Sequence, residues 1–133
     1  MKKFIVTYLL IPIGLFIVFN LVVLLIVSWG TKSTIEESIV KNINIAREKY
    51  PGKAEDALIA FMQDTTNSYH DRSHVAIWTL GQIKSQKALP LIKELYTGEY
   101  CKGRHDRVIC QSVVQNAIKA IESDWKLHPE FNK

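Results

Sequence analysis

The first apolar stretch of the chain is long and unbroken. From Phe4 to Trp29 no Asp, Glu, Lys, Arg or His interrupts it, and these 26 residues extend roughly 39 Å at a helical rise of 1.5 Å. A secretory signal peptide has a shorter apolar region and a clear cleavage site, which Ser28-Trp29-Gly30 matches only weakly. The pattern therefore predicts a retained transmembrane helix within an anchor of residues 1–30.

Basic residues flank this segment unequally. Lys2 and Lys3 lie directly before it, whereas the other flank offers Lys32 and then no basic residue until Lys41. Because Lys and Arg stay on the cytoplasmic side, a single-pass protein with a cytoplasmic N-terminus and an extracytoplasmic C-terminal domain, periplasmic or extracellular, is predicted. Asn20 could join two such helices into a homo-oligomer through a hydrogen bond, or be a tolerated polar residue.

Beyond residue 30 the apolar positions recur at the spacing of amphipathic helices. Five such stripes follow one another, over residues 35–50, 54–62, 71–83, 89–95 and 108–121. The third is apolar on more than one side, as in a helix that lies between neighbours. Alternation with a period of two, the mark of a half-buried strand, occurs nowhere. The sequence predicts an all-α protein, with about five helices in a domain of residues 31–133.

One segment has the marks of a helical repeat. Residues 71–99 read DRSHVAIWTLGQIKSQKALPLIKELYTGE, with a short polar turn between two apolar runs. The marks are the Asp71-Arg72 opening, the run Ala76…Leu80-Gly81…Ile83, and Ala88-Leu89-Pro90…Leu95. The segment resembles one HEAT-type repeat, of the subtype also seen in phycobilisome lyases. The resemblance implies a short α-solenoid of HEAT-like helical hairpins and packing roles for these residues, with no catalytic residue and no lyase activity.

Charge and motifs narrow the function further. The chain of 133 residues has a formal charge of +4, but from Gly30 onward 15 Lys and Arg face 13 Asp and Glu, which leaves only +2. That balance does not favour a nucleic-acid-binding surface. The sequence has no Gly-x-Ser-x-Gly elbow and no glycine-rich phosphate loop. We expect a protein that is not an enzyme and has no cofactor.

The histidines favour an alternative hypothesis for the function of the chain. His70 and His74 are spaced as two metal ligands on one helical face, and His105 would be a third. A zinc protease motif would need Glu at position 71, where Asp71 instead fits the N-cap of a helix. The alternative hypothesis is therefore a metal-binding protein or a metal-dependent enzyme that uses His70, His74 and His105.

The two cysteines lie close together. Cys101 and Cys110 are separated by eight residues, and cysteines outside the cytoplasm oxidise, so a disulfide between them is predicted. Together with His105 they could instead supply three ligands to zinc. Between them lies a basic loop that includes Arg104.

A helical stack of this kind binds partners through the inner face formed by its second helices. Exposed aromatic and Arg residues are enriched in such interfaces. The candidate contact residues are Gln63, Lys93, Tyr96, Tyr100 and Arg104. The sequence thus predicts a membrane-tethered, non-catalytic helical-repeat module that binds an unidentified protein partner.

Overall fold

The computed structural model describes residues 2–99 and 108–123, with side chains omitted for residues 2–12, 29 and 31–33. The chain divides into two compact units, Met1–Ser38 and Ile39–Lys133. All regular structure within the described residues is helical. This confirms the prediction of an all-α protein.

The helices follow the chain in a simple order. They are α1 (Lys2–Lys49), α2 (Ala54–Gln63), α3 (Tyr69–Asp71), a π-helical turn (Arg72–Ile77), α4 (Trp78–Gln82), α5 (Leu89–Glu94) and α6 (Gln111–Glu122). Within the second unit, α2 packs against the π-helical turn and α4, while α6 packs against α4, α5 and the π-helical turn. The π-helical turn and α4 are therefore central, within the stripe over residues 71–83 that predicts a helix between neighbours.

The predicted transmembrane helix is corrected by the structure. No helix among the described residues is long and apolar enough to cross a membrane. The side chains of residues 4–12 and of Trp29, which the prediction included, lie outside the described ones. The predicted single-pass orientation depended on this helix and loses its basis.

The α1 helix is continuous where the sequence predicts two separate helices. Its 48 residues include the hydroxyls of Thr34 and Ser38, which donate to the carbonyls of Gly30 and Thr34, four residues earlier. Such bonds satisfy a hydroxyl inside a helix, so these residues do not end it. In the second unit, Ile39 and Ala46 of α1 are fully buried.

The central helical segment contains an extra residue in one turn. The backbone N–H of Trp78 donates to the carbonyl of Ser73, five residues earlier, instead of four. Asn42 of α1 donates to the carbonyl of His74 at 3.3 Å and to the hydroxyl of Thr79 at 2.9 Å. A side chain from α1 thus bonds to backbone and side chain beside the π-helical turn, where the regular helical pattern is interrupted.

The last helix begins later than its apolar stripe predicts. Cys110 has an extended backbone and its N–H donates to the buried hydroxyl of Ser73 at 2.9 Å, so α6 starts only at Gln111 and Val108 is half exposed. From there the stripe is confirmed, because Val114, Ala117 and Ile121 are buried.

The turn between α4 and α5 bonds to helices on two sides. Its backbone closes α4, since the N–H of Ser85 donates to the carbonyl of Leu80 and the N–H of Lys84 to that of Gly81. This is a Schellman motif. Ser85 and Lys87 bond to Glu55 and Asp56 in the first turn of α2, and Lys84 and Gln86 bond to the carbonyls of Ser123 and Ile121 at the end of α6.

A second polar cluster joins the end of α1 to the loop after α2. The Tyr50 hydroxyl donates to the carboxylate of Asp64, and the Lys49 ammonium lies 2.8 Å from the same carboxylate. These bonds, with that from the Thr66 N–H, hold the pKa of Asp64 well below its ordinary value, chiefly through Lys49. Asp64 in turn raises the pKa of Lys49.

Candidate functional site

The predicted contact residues fall on different helices. Lys93 lies on α5 and Tyr96 just after it, whereas Gln63 ends α2 and is exposed there. Tyr100 and Arg104 lie outside the described residues. The structure therefore brings two of the five, Lys93 and Tyr96, to one surface.

That surface is formed by α5 and α6. The Lys93 ammonium lies 2.6 Å from the carboxylate of Glu122 on α6. The side-chain amide of Gln115, also on α6, lies 3.4 Å from the Tyr96 hydroxyl as a donor. Both predicted residues are thus held by a partner from the neighbouring helix, and Tyr96 keeps 41% of its surface exposed.

A small groove opens beside Tyr96. Its volume is about 50 Å³. Its described lining consists of residues that follow α5 and of residues in the first turns of α6, namely Tyr96, Gly98, Glu99, Gln111, Ser112 and Gln115. Sites for substrates or cofactors usually measure about 300–1,000 Å³. The groove is therefore of the size that admits the end of one side chain.

Gln111 fixes the walls of this groove. Its amide oxygen accepts the backbone N–H of Thr97 at 2.9 Å, and its amide nitrogen donates to the carbonyl of Leu95 at 3.1 Å. One side chain at the start of α6 thus forms two hydrogen bonds to the backbone of the chain at the end of α5 and beyond it.

Sequence reasoning missed Gln111, Ser112, Gln115 and Glu99. One signal was present, because Gln111 and Gln115 are four residues apart and so share a helical face. Nothing in the local pattern shows, however, that this face meets Tyr96, which lies 15 residues before Gln111 in the chain.

The histidines proposed as metal ligands are only partly placed. The rings of His70 and His74 have centroids 4.5 Å apart, and His105 lies outside the described residues. Within the described part of the chain, no group of three His, Cys, Asp or Glu residues is arranged to hold a metal ion.

Asp71 is not the helix N-cap that the sequence predicts. The cap is Ser68, whose hydroxyl accepts the backbone N–H of Asp71 at 3.0 Å and donates to its carboxylate at 2.7 Å. Asp71 is thus the third helical residue, and both its backbone N–H and its carboxylate bond to the hydroxyl of the cap.

One of the two cysteines of the predicted disulfide, Cys110, lies among the described residues. Cys110 is 4% exposed, and its sulfur lies 3.1 Å from the hydroxyl of Ser112. Cys101 lies outside the described residues. The pairing of Cys101 with Cys110 therefore stays a prediction.

No protein-family model, no curated protein and no solved structure matches this chain. The resemblance to a HEAT-type repeat rests on the residues of the 71–99 segment themselves.

Proposed function

We propose that this protein is a non-catalytic protein-interaction module, built as a short HEAT-like helical stack, and that it binds its partner through the α5–α6 surface. The observation that carries the proposal is the groove beside Tyr96. On one of its walls, Gln111 bonds to the backbone of Thr97 and Leu95, after α5. Preorganised polar grooves with an exposed aromatic residue at the rim suit recognition of another protein.

The packing of the helices supports the repeat architecture. The π-helical turn and α4 lie against α2 on one side and α6 on the other, and α5 packs against α6. Stacked helical hairpins bury their apolar faces in this manner, each against its neighbours in the chain. The 84–87 turn adds polar bonds to both neighbours.

Size and chemistry support a binding role over a catalytic one. A groove of about 50 Å³ falls well below the usual volume of a substrate pocket. The described part of its lining offers amides, hydroxyls, a carboxylate and an aromatic ring, which suit the recognition of a polar side chain.

Site-specific photocrosslinking of the full chain in its host cells tests the proposal. A photoreactive residue at Ser112 or Lys93, both exposed on the α5–α6 surface, should give a discrete protein adduct. The same residue at Glu48 or Lys53, exposed on α1 and just before α2, serves as the matched control. A third position, Gln63, decides whether the end of α2 belongs to the interface.

The outcomes separate cleanly. Adducts at Ser112 and Lys93 that exceed those at both control positions support the proposed surface. Equal labelling at all positions, or labelling only at the controls, would contradict it.

A further inference from the structure

We propose that Arg72 and Tyr69, beside the end of α2, form a second recognition site, which binds a carboxylate group of a partner protein. The site includes none of the residues that line the groove on the α5–α6 surface, and it does not rest on the function proposed for that surface. It is carried by the burial of Arg72, by the bonds of its guanidinium and by the exposed ring beside it.

Arg72 is a buried cation that is fixed in place. Only 9% of its surface is exposed, and its Nε donates to the carbonyl of Met62 at 2.6 Å. This carbonyl lies in the last turn of α2, where carbonyls have no partner within the helix. The bond accounts for the buried stem and Nε of Arg72, but it leaves the two terminal nitrogens without an acceptor among the described residues. Every fully buried side-chain nitrogen in the described part of the chain has a partner, so these two nitrogens reach the surface.

No carboxylate among the described residues pairs with this guanidinium. Asp71 bonds instead to the hydroxyl that caps its own helix, and Asp64, the C-cap of α2, pairs with Lys49. The contacts of Arg72 are a carbonyl and the ring of Tyr69, whose centroid lies 5.8 Å from the guanidinium carbon. Neither contact carries a formal charge. A cation withdrawn from water without a counter-ion costs free energy, so the site favours an anion.

The shape of a guanidinium selects a carboxylate among the anions. Its terminal nitrogens form a planar fork that matches the two oxygens of a carboxylate. The Tyr69 ring, 41% exposed, lies beside this fork and can shield the pair from water, which strengthens bonds between charged groups. A phosphate presents more oxygens than one fork can bind and would keep part of its charge unpaired.

The site faces the end of α2. Ser73, the residue after Arg72, bonds to the N–H of Cys110 before α6, whereas Arg72 bonds to α2. Successive residues of a helix do not share a face, so the two side chains contact different neighbours. Gln63, the exposed last residue of α2, follows the bonded carbonyl directly. A partner that reaches Arg72 therefore passes close to Gln63, one of the contact residues that the sequence predicts.

NMR titration of the full chain with short peptides tests the inference. The probe is acetyl-Gly-Glu-Gly-amide, with the Gln peptide as the neutral control and inorganic phosphate as the competing anion. A triglycine peptide with a free C-terminal carboxylate separates a chain end from a side chain as the source. The side-chain N–H signals of Arg72 should shift saturably with the Glu peptide and stay unchanged with the Gln peptide.

Arg47 is the matched control within the same sample. It is exposed on α1, and its Nε also donates to a backbone carbonyl, that of Gly52 at 3.1 Å. It therefore shares the bond of Arg72 but not the burial. Its side-chain signals should not saturate in the range of peptide concentration that saturates those of Arg72.

Three substitutions sharpen the test. Arg72→Lys keeps the positive charge but loses the fork, so it should weaken binding of the Glu peptide at least about fivefold. Arg47→Lys should change the affinity less than about twofold. Tyr69→Leu leaves the guanidinium in place and should weaken binding roughly two- to fivefold, because the shielding ring is lost. If Arg72→Lys proves too unstable to measure, the signals of Arg72 in the wild type and in Tyr69→Leu still decide the question.

Several results would overturn the inference. They are the absence of a saturable shift at Arg72, an equal response to the Glu and Gln peptides, tighter binding of phosphate than of the Glu peptide, and equal affinities of the wild type and Arg72→Lys. In host cells, photocrosslinked adducts at Gln63 should be lost in Arg72→Lys and kept in Arg47→Lys, and an unchanged yield in both counts against the site. Adducts at Ser112 test the α5–α6 surface independently, because that position lies on α6.

Discussion

Helices α4 and α6 approach each other closely at Gly81 of α4. A Cβ at this position would come within 2.8 Å of the Cα and 2.9 Å of the Cβ of Ala117 on α6. Distances below 3.0 Å force the backbone of one helix to move. The sequence indicates only that Leu80 and Gly81 belong to the repeat-like segment, because periodicity shows which face is buried and not how closely another helix approaches.

The first prediction is that Gly81→Ala destabilises the protein by about 1–3 kcal/mol, as overpacking of a tight interface does. In a domain of this size that corresponds to a melting temperature lower by roughly 4–8 °C for each kcal/mol. Gly30→Ala on α1 is the control, since open space surrounds that position and alanine favours a helix. A melting temperature for Gly81→Ala at or above that of the wild type would contradict the close crossing of α4 and α6.

The second prediction concerns Cys101 and Cys110, which we expect to form a disulfide in protein isolated without reductant. A loop of about eight residues would contribute roughly 2–3 kcal/mol in the chain-entropy model. Because Cys110 is 4% exposed, alkylation must be done in denaturant, followed by intact-mass measurement. Two alkylated cysteines before reduction would rule the bond out.

At the scale of the elements, the sequence shows where apolar stripes lie but not how the backbone turns between them. The stripes of α2 and α6 are confirmed because apolar residues spaced three or four positions apart along each helix are buried. The π-helical turn is invisible to this pattern, since one extra residue shifts the period by less than the width of a stripe. Its stabilising contact, Asn42 to Thr79, joins residues 37 positions apart and has no local signal.

Lys84, in the turn that follows α4, affects stability both through its backbone conformation and through its side chain. It ends α4 with a φ of 55°, a left-handed conformation in which a side chain costs energy. Its ammonium also donates to the carbonyl of Ser123 at 2.6 Å, beyond the end of α6. The energetic cost of the left-handed backbone at Lys84 is thus accompanied by a hydrogen bond from its side chain to the residue that follows α6.

The third prediction separates these two effects. Lys84→Ala and Lys84→Gly both remove the ammonium, but only glycine removes the backbone strain, so the glycine variant should be more stable than the alanine variant by about 1 kcal/mol. Chemical denaturation of the two variants beside the wild type measures this difference. Equal stabilities would show that position 84 carries no strain.

For the molecule as a whole, composition and periodicity were enough to predict an all-α protein. They were not enough to predict the α5–α6 surface that is proposed to bind a partner. One wall of the groove contains Gln111 at the start of α6, which bonds to the backbone at Leu95 and Thr97, more than a dozen residues earlier. Lys93 and Tyr96 could be selected from their residue types, but their partners Glu122 and Gln115 come from packing.

The last prediction is that acid and base each weaken the fold through its exposed ion pairs. Bonds to Lys49 and to Lys87 lower the pKa values of Asp64 and Asp56 below their ordinary 3.8. A carboxylate with a lowered native pKa stabilises the fold fully above pH 3.8, and this contribution is lost as the pH falls further, through the native pKa.

For Lys49 and Lys87, the contribution to stability depends on pH in the opposite direction. Their pKa values are raised above 10.5, so their contribution is complete below that pH and is lost as the pH rises through the native pKa. Asp64→Asn should therefore melt below the wild type at pH 7, and the gap should narrow as the pH falls below 3.8, because protonated Asp64 resembles asparagine. Added salt should shrink the gap at pH 7, since the pair is partly exposed to solvent, with 43% of the Lys49 side chain and 25% of the Asp64 side chain accessible. Glu94→Gln, which removes an exposed carboxylate of α5, should follow the wild-type curve in thermal melts from pH 2 to 7. A gap for Asp64→Asn that stays constant across that range would show that Asp64 stabilises the junction of α1 with the loop after α2 through hydrogen bonds alone, with no contribution from its charge.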